Sequence, residues 1–299
     1  MRPLPRADVK VGFACNNRCV FCAQGHKREG CGAVPFEALV ERLRSLVGAP
    51  RGLVLTGGEP TLYKRLGALV RCAKALGYGP IQVQTNGRLL SYPQVVRALL
   101  DAGVTEFSPS LHGSTAALHD GLTRAPGSWA ESVEGIRGAL ASGAVVVTNS
   151  VITRANTEDL PRLVSLLASL GVRQAQLAFV HPVGTALERL EDVVPRLPAV
   201  VAPVAEARER AREAGLRLFT EAIPYCFLRG MEELAVEDHI PYTHVVEGAS
   251  EAFDYSRWRV AEGKAHGPPC ERCSAAPRCE GPWREYPQRF GWEEFVPLP

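Results

Sequence analysis

Seven of the nine cysteines in the 299-residue chain fall into two spaced groups at opposite ends of the sequence. Cysteine thiolates at short spacings are typical metal ligands. Disulfides explain them poorly, because the count is odd and the start, MRPLPRADVK, has neither the apolar core nor the cleavage site of a secretory signal. The sequence therefore predicts two metal centres, one on Cys15, Cys19 and Cys22, the other on Cys226, Cys270, Cys273 and Cys279.

The first group reads CNNRCVFC from Cys15 to Cys22 and follows an apolar run. Three thiolates on one short loop can hold three irons of a 4Fe-4S cube and leave the fourth iron open for an exchangeable ligand. Structural zinc is the alternative, but it takes four ligands, and only Cys31 or His26 could supply a poorly placed fourth. The spacing favours a cluster with an open iron, at which chemistry can occur.

The second group has two residues between Cys270 and Cys273 and five between Cys273 and Cys279. Cys226, about forty residues upstream, is the natural fourth ligand. Four thiolates close a site, and this suits either a fully ligated 4Fe-4S cluster or structural zinc. The spacing alone does not separate the two.

From Asp8 to about Thr220, short apolar runs alternate with longer amphipathic stretches, the pattern of repeated βα units around a parallel sheet. Strands are predicted at Val9–Phe13, Leu53–Thr56, Ile81–Thr85, Phe107–Leu111, Val145–Ile152 and Gln176–Val180, with a further short one at Leu216–Thr220. Helices are predicted at Phe36–Leu46, Leu62–Leu76, Pro93–Ala102, Trp129–Ala141, Leu160–Leu170 and Val200–Ala214. The fold class is α/β, with a partial (β/α)6 barrel.

Polar and glycine-rich loops follow these strands: CNNRCVFCAQG after the first, then GGEP, NGR, HGS and, after the sixth, HPVG. In parallel sheets and barrels, sites form where the strands end, so these loops should converge on one mouth. His181, in the last loop, could donate or accept a proton there, or simply cap its loop.

The motif CxxxCxFC, with the aromatic Phe21 before its third cysteine, resembles the signature of the radical S-adenosylmethionine (SAM) superfamily. Gly57-Gly58-Glu59-Pro60 resembles the GGEP motif of that family, and Thr85-Asn86-Gly87 its TNG. The resemblance spans about Asp8 to Thr220. It implies that the open iron binds the methionyl part of SAM, and that an electron from the cluster cleaves SAM to a 5′-deoxyadenosyl radical.

The resemblance also implies which residues meet SAM. Gly57, Gly58, Glu59 and Pro60 would face its amino group, as a carboxylate complements an ammonium and glycines let the backbone come close. The resemblance also implies that SAM is contacted by Phe21, Thr85, Asn86 and Ser110. It implies that Asn149, Ser150 and Phe179 lie near the ribose and adenine of SAM. His112 stands where enzymes of the maturase type carry an aspartate, and this puts any role of that acid in doubt.

The C-terminal CxxCxxxxxC resembles the core of the SPASM extension, which carries auxiliary clusters in peptide-modifying radical SAM enzymes. That pattern continues with another cysteine where this chain has Trp283, so a single auxiliary cluster of the shortened twitch type is expected. The chain would then divide into a radical SAM barrel, residues 1–220, and an auxiliary-cluster cap, residues 221–299. The sequence of the cap shows little helical or strand periodicity, and a bound cluster can stabilise the fold of such a region.

Bulk properties restrict the partners. A chain with 46% hydrophobic and 22% charged residues should fold, and no apolar run approaches the roughly 20 residues that span a bilayer. A net charge of +2 disfavours nucleic acid. We expect a cytoplasmic oxidoreductase or maturase that takes hydrogen from a peptide or small molecule, with an external electron donor such as flavodoxin or ferredoxin. The alternatives are a radical nucleotide cyclase-like enzyme and a non-catalytic Fe-S or zinc redox protein.

Overall fold

A computed structural model describes residues 5–28, 34–46, 51–247 and 250–299. Cys31 lies outside these ranges. The strands are β1 (Arg6–Lys10), β2 (Gly52–Thr56), β3 (Ile81–Thr85), β4 (Glu106–Pro109), β5 (Val145–Ile152), β6 (Gln174–Phe179), β7 (Arg217–Glu221), β8 (Thr243–Glu247) and β9 (Phe253–Asp254).

Helices lie between the strands and after them. They are α1 (Phe36–Ser45), α2 (Leu66–Ala75), α3 (Pro93–Ala102), α4 (Ala116–Thr123), α5 (Ser128–Ala141), α6 (Leu160–Ser169), α7 (Thr185–Glu188), α8 (Leu190–Val193), α9 (Leu197–Glu213), α10 (Tyr255–Trp258) and α11 (Glu285–Phe290). A π-helical turn, Arg259–Gly263, follows α10.

The strands form one sheet in the order β7-β6-β5-β4-β3-β2-β1-β8-β9. All neighbours are parallel except β8 and β9. The sheet curls without closing, with β7 and β9 as its edges, so the predicted partial α/β barrel is confirmed. β8 belongs to the residues predicted as the cap, yet it pairs with β1 along its whole length.

Apolar side chains fill the space between the sheet and its helices in two clusters. One joins β1 to β4 with α1, α2 and α3. The other joins β5 to β7 with α6 and α9, and it also includes Trp283, Tyr286 and Phe295 from the C-terminal region. Each large buried side chain contributes about 1.5–3 kcal/mol, so this second cluster anchors that region on the barrel.

Most predicted elements are shifted by one to four residues at a boundary, and several short helices were not predicted. β1 ends at Lys10 rather than Phe13, because after Val11, whose N–H donates to Thr56 O at 3.0 Å, the chain turns at Gly12 toward the cysteine loop. Helix α4 was not predicted, since its eight residues include a glycine and three polar side chains. Thr115 caps its N-terminus, since the Thr115 hydroxyl accepts from Leu118 N–H. Among the described helices, none has the length and apolar character to cross a bilayer.

Candidate active site

The three N-terminal cysteines lie on one loop after β1, and each is half-buried. The loop is fixed from two sides. Arg18 and Val20 donate their N–H groups to Thr123 O at 2.7 Å and Leu122 O at 2.9 Å, at the end of α4. On the other side, Cys22 O accepts from Thr185 N–H at 3.1 Å, in the loop after β6.

These cysteines influence one another electrostatically. Burial, with the neighbouring Cys22 and Cys15 thiolates adding to it, raises the pKa of Cys19 to about 12. Burial also raises the pKa of Cys15, although Asn17 N–H donates to its Sγ at 3.4 Å. Three thiols crowded this way resist ionising together unless positive metal charge compensates them.

Two glycines let the loop after β2 press against the cysteine loop. Gly57 has φ 133°, and a Cβ there would lie 2.2 Å from Gly12 O. A Cβ on Gly58 would lie 2.3 Å from Ala14 O. Gly58 N–H instead donates to Gly12 O at 2.8 Å, and Glu59 N–H donates to Ala14 O at 2.8 Å. Any side chain at these positions would displace the cysteine loop.

Glu59 is buried, with 3% exposed, and it connects two strand ends. Its Oε1 accepts from Thr61 N–H at 3.0 Å, Thr61 Oγ1 at 2.5 Å and Thr85 Oγ1 at 2.6 Å. Among the residues that the structure describes, Asn86 N–H is the one donor to its Oε2, at 2.6 Å. Burial raises the pKa of this carboxyl, against hydrogen bonds that favour its charged form. Oε2 keeps one lone pair for a further donor such as an ammonium. Pro60, buried beside it, starts a 3-10 turn.

Arg88 braces the cysteine loop, a role that the sequence reasoning missed. Its Nη1 donates to Asn16 O at 2.6 Å and Asn17 Oδ1 at 3.0 Å, and its Nε pairs with Glu131. Asn86, two residues before it, donates through Nδ2 to Asn16 Oδ1 at 2.6 Å. The only available signal was the arginine that directly follows the TNG motif.

His112 occupies a structural position. Its Nδ1 accepts from Val151 N–H at 3.1 Å, and its ring meets the edge of Phe21 at 4.7 Å. Burial, with His119 adding to it, holds the pKa of His112 well below its usual range. Burial also lowers the pKa of His119 to about 4. Both rings are therefore neutral at pH 7, and Phe21, itself buried, anchors the loop through its ring rather than facing the mouth.

Asn149 and Ser150, two neighbouring residues of β5 that were expected near SAM, point to opposite faces of the sheet. Asn149 lies on the lumen face of β5, because Ile152, on the other face of that strand, is fully buried in the core cluster with α6. Ser110, at the end of β4, is the bridge partner of Asn149 and shares that face. Ser150 points to the opposite face, as successive side chains of a strand do. It is fully buried, and its hydroxyl donates to Leu111 O at 2.6 Å. That hydroxyl is not free to meet ribose.

Phe179, the last residue of β6, also faces away from the mouth. It is 3% exposed and packs edge-on against Tyr286 at 5.7 Å, within the core. Only its backbone reaches the C-terminal region, where Trp283 Nε1 donates to Phe179 O at 3.4 Å. Any contact of Phe179 with adenine would have to come from the backbone.

The four C-terminal cysteines come together around one cavity, which they line with Pro224, Tyr225 and His266. Burial raises the pKa of Cys226 to about 12, and the thiolates of Cys279, Cys270 and Cys273 contribute. Two backbone N–H groups point at the sulfurs, since Gly281 donates to Cys279 Sγ and Leu298 to Cys273 Sγ, each at 3.4 Å. Such hydrogen bonds stabilise thiolate ligands and tune a cluster's potential.

His181 joins the barrel mouth to this second site. Its ring stacks on Trp283 at 3.8 Å with 9° between the planes, and its Nε2 lies 3.6 Å from Glu285 Oε2. Trp283 is four residues beyond Cys279. The segment from His181 to Thr185 therefore contacts the C-terminal region, at Trp283, through its first residue and the three-cysteine loop through its last.

The donor chemistry of both sites fits iron–sulfur groups. Within the described ranges, no three or more His, Cys, Asp or Glu side chains are arranged to hold a metal ion. What fits is the donor set, since cysteine thiolates are the usual ligands of 4Fe-4S clusters, with three holding a cluster that has an open iron and four holding a closed one.

Comparison with known proteins places the chain in a family. A family model described as the radical SAM superfamily matches residues 9–167, more than half of the chain. Probable GTP 3′,8-cyclases from Saccharolobus solfataricus and Metallosphaera sedula are 33% identical over 185 and 187 residues, 61% of this chain. The chain spans 59% and 58% of the length of these two curated relatives.

Solved structures show the same fold over nearly the whole chain. Streptococcus suis SuiB bound to S-adenosylmethionine has a TM-score of 0.69 and 17% identity, covering 94% of this chain and 73% of that one. The anSMEcpe protein with bound AdoMet has a TM-score of 0.71 and 13% identity, covering 98% and 93%. The family uses a 4Fe-4S cluster and SAM. On the family match, the chain belongs to the radical SAM superfamily.

Proposed function

We propose that this enzyme cleaves SAM reductively and abstracts hydrogen from a substrate held between its two cysteine sites, and that the second site takes up the electron the substrate loses. One observation carries the proposal. A single loop after β6 contacts the three-cysteine loop through Thr185 N–H and the four-cysteine region through the stacked His181 and Trp283. A substrate in the mouth would lie between the two.

At the first site, Cys15, Cys19 and Cys22 would hold the cluster, and Glu59 Oε2 would accept from the ammonium of SAM. When bound, the cluster supplies the electron that splits SAM into methionine and a 5′-deoxyadenosyl radical. Asn86 and Arg88 keep the cysteine loop in place. The lumen side chains of Ser110 and Asn149 would contact the ribose of SAM.

At the second site, Cys226, Cys270, Cys273 and Cys279 would supply all four ligands of a 4Fe-4S cluster. A centre ligated four times by protein has no open iron for a substrate atom. Such a cluster would serve in electron transfer. Because it would accept an electron from the substrate, the overall reaction would be an oxidation of the substrate. Residues 221–299 act as the cap in this proposal, with β8 fastening the cap to the barrel.

Charges near the mouth restrict the substrate. Glu221, at the end of β7, accepts from Gln176 Nε2 at 2.5 Å, and Gln176 pairs in register with the lumen-facing Asn149. Glu221 therefore also faces the lumen. It belongs to a buried group that contains three carboxylates and two cations, namely Glu221, Glu237, Glu280, Arg259 and Lys264.

This group offers both donors and acceptors. Lys264 is 3% exposed. Within the described part of the chain, three atoms of this group have no hydrogen-bond partner: Lys264 Nζ, Arg259 Nε and Glu280 Oε2. Its net charge is negative, which opposes a nucleoside triphosphate and suits a polar molecule of little net charge, such as a peptide segment. An external one-electron donor and a cytoplasmic location, where thiols stay reduced, complete the proposal.

Cyclisation of a nucleotide is the second candidate. The probable GTP 3′,8-cyclases at 33% identity favour it, although their likeness covers 61% of this chain. The carboxylates around Lys264 are the structural argument against it.

The test is 5′-deoxyadenosine formation by the anaerobically reconstituted, dithionite-reduced enzyme, with and without millimolar GTP. We expect slow cleavage of SAM alone and no stimulation or new nucleotide product with GTP. Stimulation by GTP with a cyclised product would replace the proposed substrate class. Absence of any SAM cleavage or SAM binding would favour the non-catalytic redox protein instead.

A further inference from the structure

A recess of about 280 Å³ opens on the outer surface behind the three-cysteine loop. Its apolar walls include Val20, Leu118, Leu122 and Val193, and two exposed arginines, Arg124 and Arg189, stand at its rim. Neither the proposed SAM site nor the second cysteine site uses any of these side chains. An apolar recess with a charged rim is typical of a protein docking site.

The rim is positively charged. Arg18 is exposed beside Arg124, since Arg18 N–H donates to Thr123 O, and Arg154 is exposed beside the recess, since its N–H donates to Val193 O at 2.8 Å. Asp192 is the one acid among the recess residues in the described chain, and it pairs with Arg189 at 3.1 Å. Because Asp192 pairs with Arg189, the positive charge of this rim comes from Arg18, Arg124 and Arg154, and it favours an acidic partner surface.

The recess is also the outer approach to the first cysteine site. Val20, in its wall, lies between Cys19 and Cys22 in the sequence, and its N–H donates to Leu122 O at 2.9 Å, in the same wall. On the other side of the loop are Glu59, Asn86 and the mouth, where SAM and substrate would bind. A protein that docks at the recess reaches the cysteine loop without entering the mouth.

We propose that this recess and its arginine rim dock the electron donor, an acidic one-electron carrier protein. The inference rests on the proposed function, because it takes Cys15, Cys19 and Cys22 as the ligands of the cluster. The docked reduced carrier gives up one electron and is oxidised by one unit, and the cluster is reduced by one unit. No bond is made or broken in this step.

The test compares the Arg124→Glu/Arg189→Glu double variant with wild type, using reduced flavodoxin as the probe. Arg210→Glu/Arg212→Glu is the matched control, because these exposed arginines of α9 pair with acids three and four residues away, remote from the recess. We expect the affinity for flavodoxin, measured by calorimetry at low salt, to fall at least about tenfold in the double variant and to stay unchanged in the control.

SAM cleavage gives the second readout. Flavodoxin-driven cleavage at subsaturating carrier should fall as the affinity does, while dithionite-driven cleavage should stay within about twofold of wild type, because dithionite needs no docking site. Equal flavodoxin affinity in the double variant and wild type would overturn the docking proposal. So would a parallel loss of dithionite-driven cleavage in the double variant alone. If wild type cleaves no SAM with dithionite, the proposed function fails, whereas the affinity comparison still reports on the recess.

Discussion

Replacing Arg88 by methionine should loosen the three-cysteine loop while leaving the rest of the fold in place. The side chain of Arg88 is 16% exposed, and methionine keeps its apolar stem but none of its donors. Asn17, which is 3% exposed, would lose the donor to its Oδ1. Asn16 O would lose its 2.6 Å partner, and Glu131 its ion pair.

The magnitude follows from these three losses. An acceptor left unsatisfied in a buried position costs about 1–3 kcal/mol, and the half-buried Asn16 carbonyl about 0.5–1.5 kcal/mol. The partly exposed ion pair adds less than about 1 kcal/mol. Together the Arg88→Met change should cost about 2–4 kcal/mol, which lowers the melting midpoint by about 4–8 °C in a protein of this size.

The assay is the melting midpoint of the reconstituted protein, together with iron per chain. Arg88→Met should lose iron from the first site and keep that of the second. Arg88→Lys should recover part of the loss, and Arg212→Met, an exposed control, should change the midpoint by less than about 1 °C. A normal midpoint and full iron content in Arg88→Met would refute the bracing role.

Three further predictions concern other parts of the molecule. Cys226→Ala combined with Cys273→Ala leaves two thiolates at the second site, and it should lower iron from about eight to about four per chain and remove the EPR signal of that site, while SAM cleavage without substrate persists. Gly58→Ala should cost about 1–3 kcal/mol and release the first cluster, since its Cβ would overlap backbone at 2.3 Å, whereas Gly67→Ala in α2 meets only ordinary contacts and should be neutral or stabilising in thermal unfolding. The pKa of His119 falls to about 4 from about 6.5, so the unfolded chain binds more protons between these values and wild-type stability drops as pH falls through them. His119→Asn should remove about 2.4 kcal/mol of that dependence between pH 7 and pH 4.5 in urea titrations.

Local chemistry in the sequence was enough to predict the barrel and the loops of its mouth. β3, β5 and α3 have the predicted bounds, because each is a clean periodic run between turn residues. The GGEP and TNG motifs follow neighbouring strands. The carboxylate of GGEP can therefore accept hydrogen bonds from the turn that contains TNG. Cys226 lines one cavity with the three distant cysteines, although about forty residues separate them, and its role as a ligand stays a prediction.

What the sequence could not predict depends on tertiary contacts. A strand shows alternation but not which face meets the lumen, and for this reason Ser150 and Phe179 were expected at SAM but lie in the core. β8 is short and lies among prolines and glycines, so its pairing with β1 was hidden. Arg88 carried no periodic signal, because its role depends on a loop seventy residues earlier in the chain.

The most direct test of the central claim is EPR of the reduced, reconstituted protein with and without SAM, in wild type and in the Cys15/Cys19/Cys22→Ala and Cys270/Cys273/Cys279→Ala variants. We expect two cluster signals in wild type. Only one of them should shift when SAM is added, and it should be the signal that disappears in the Cys15/Cys19/Cys22→Ala variant. A SAM-dependent shift that survives loss of those three cysteines, or a wild-type spectrum that SAM does not change, would contradict it.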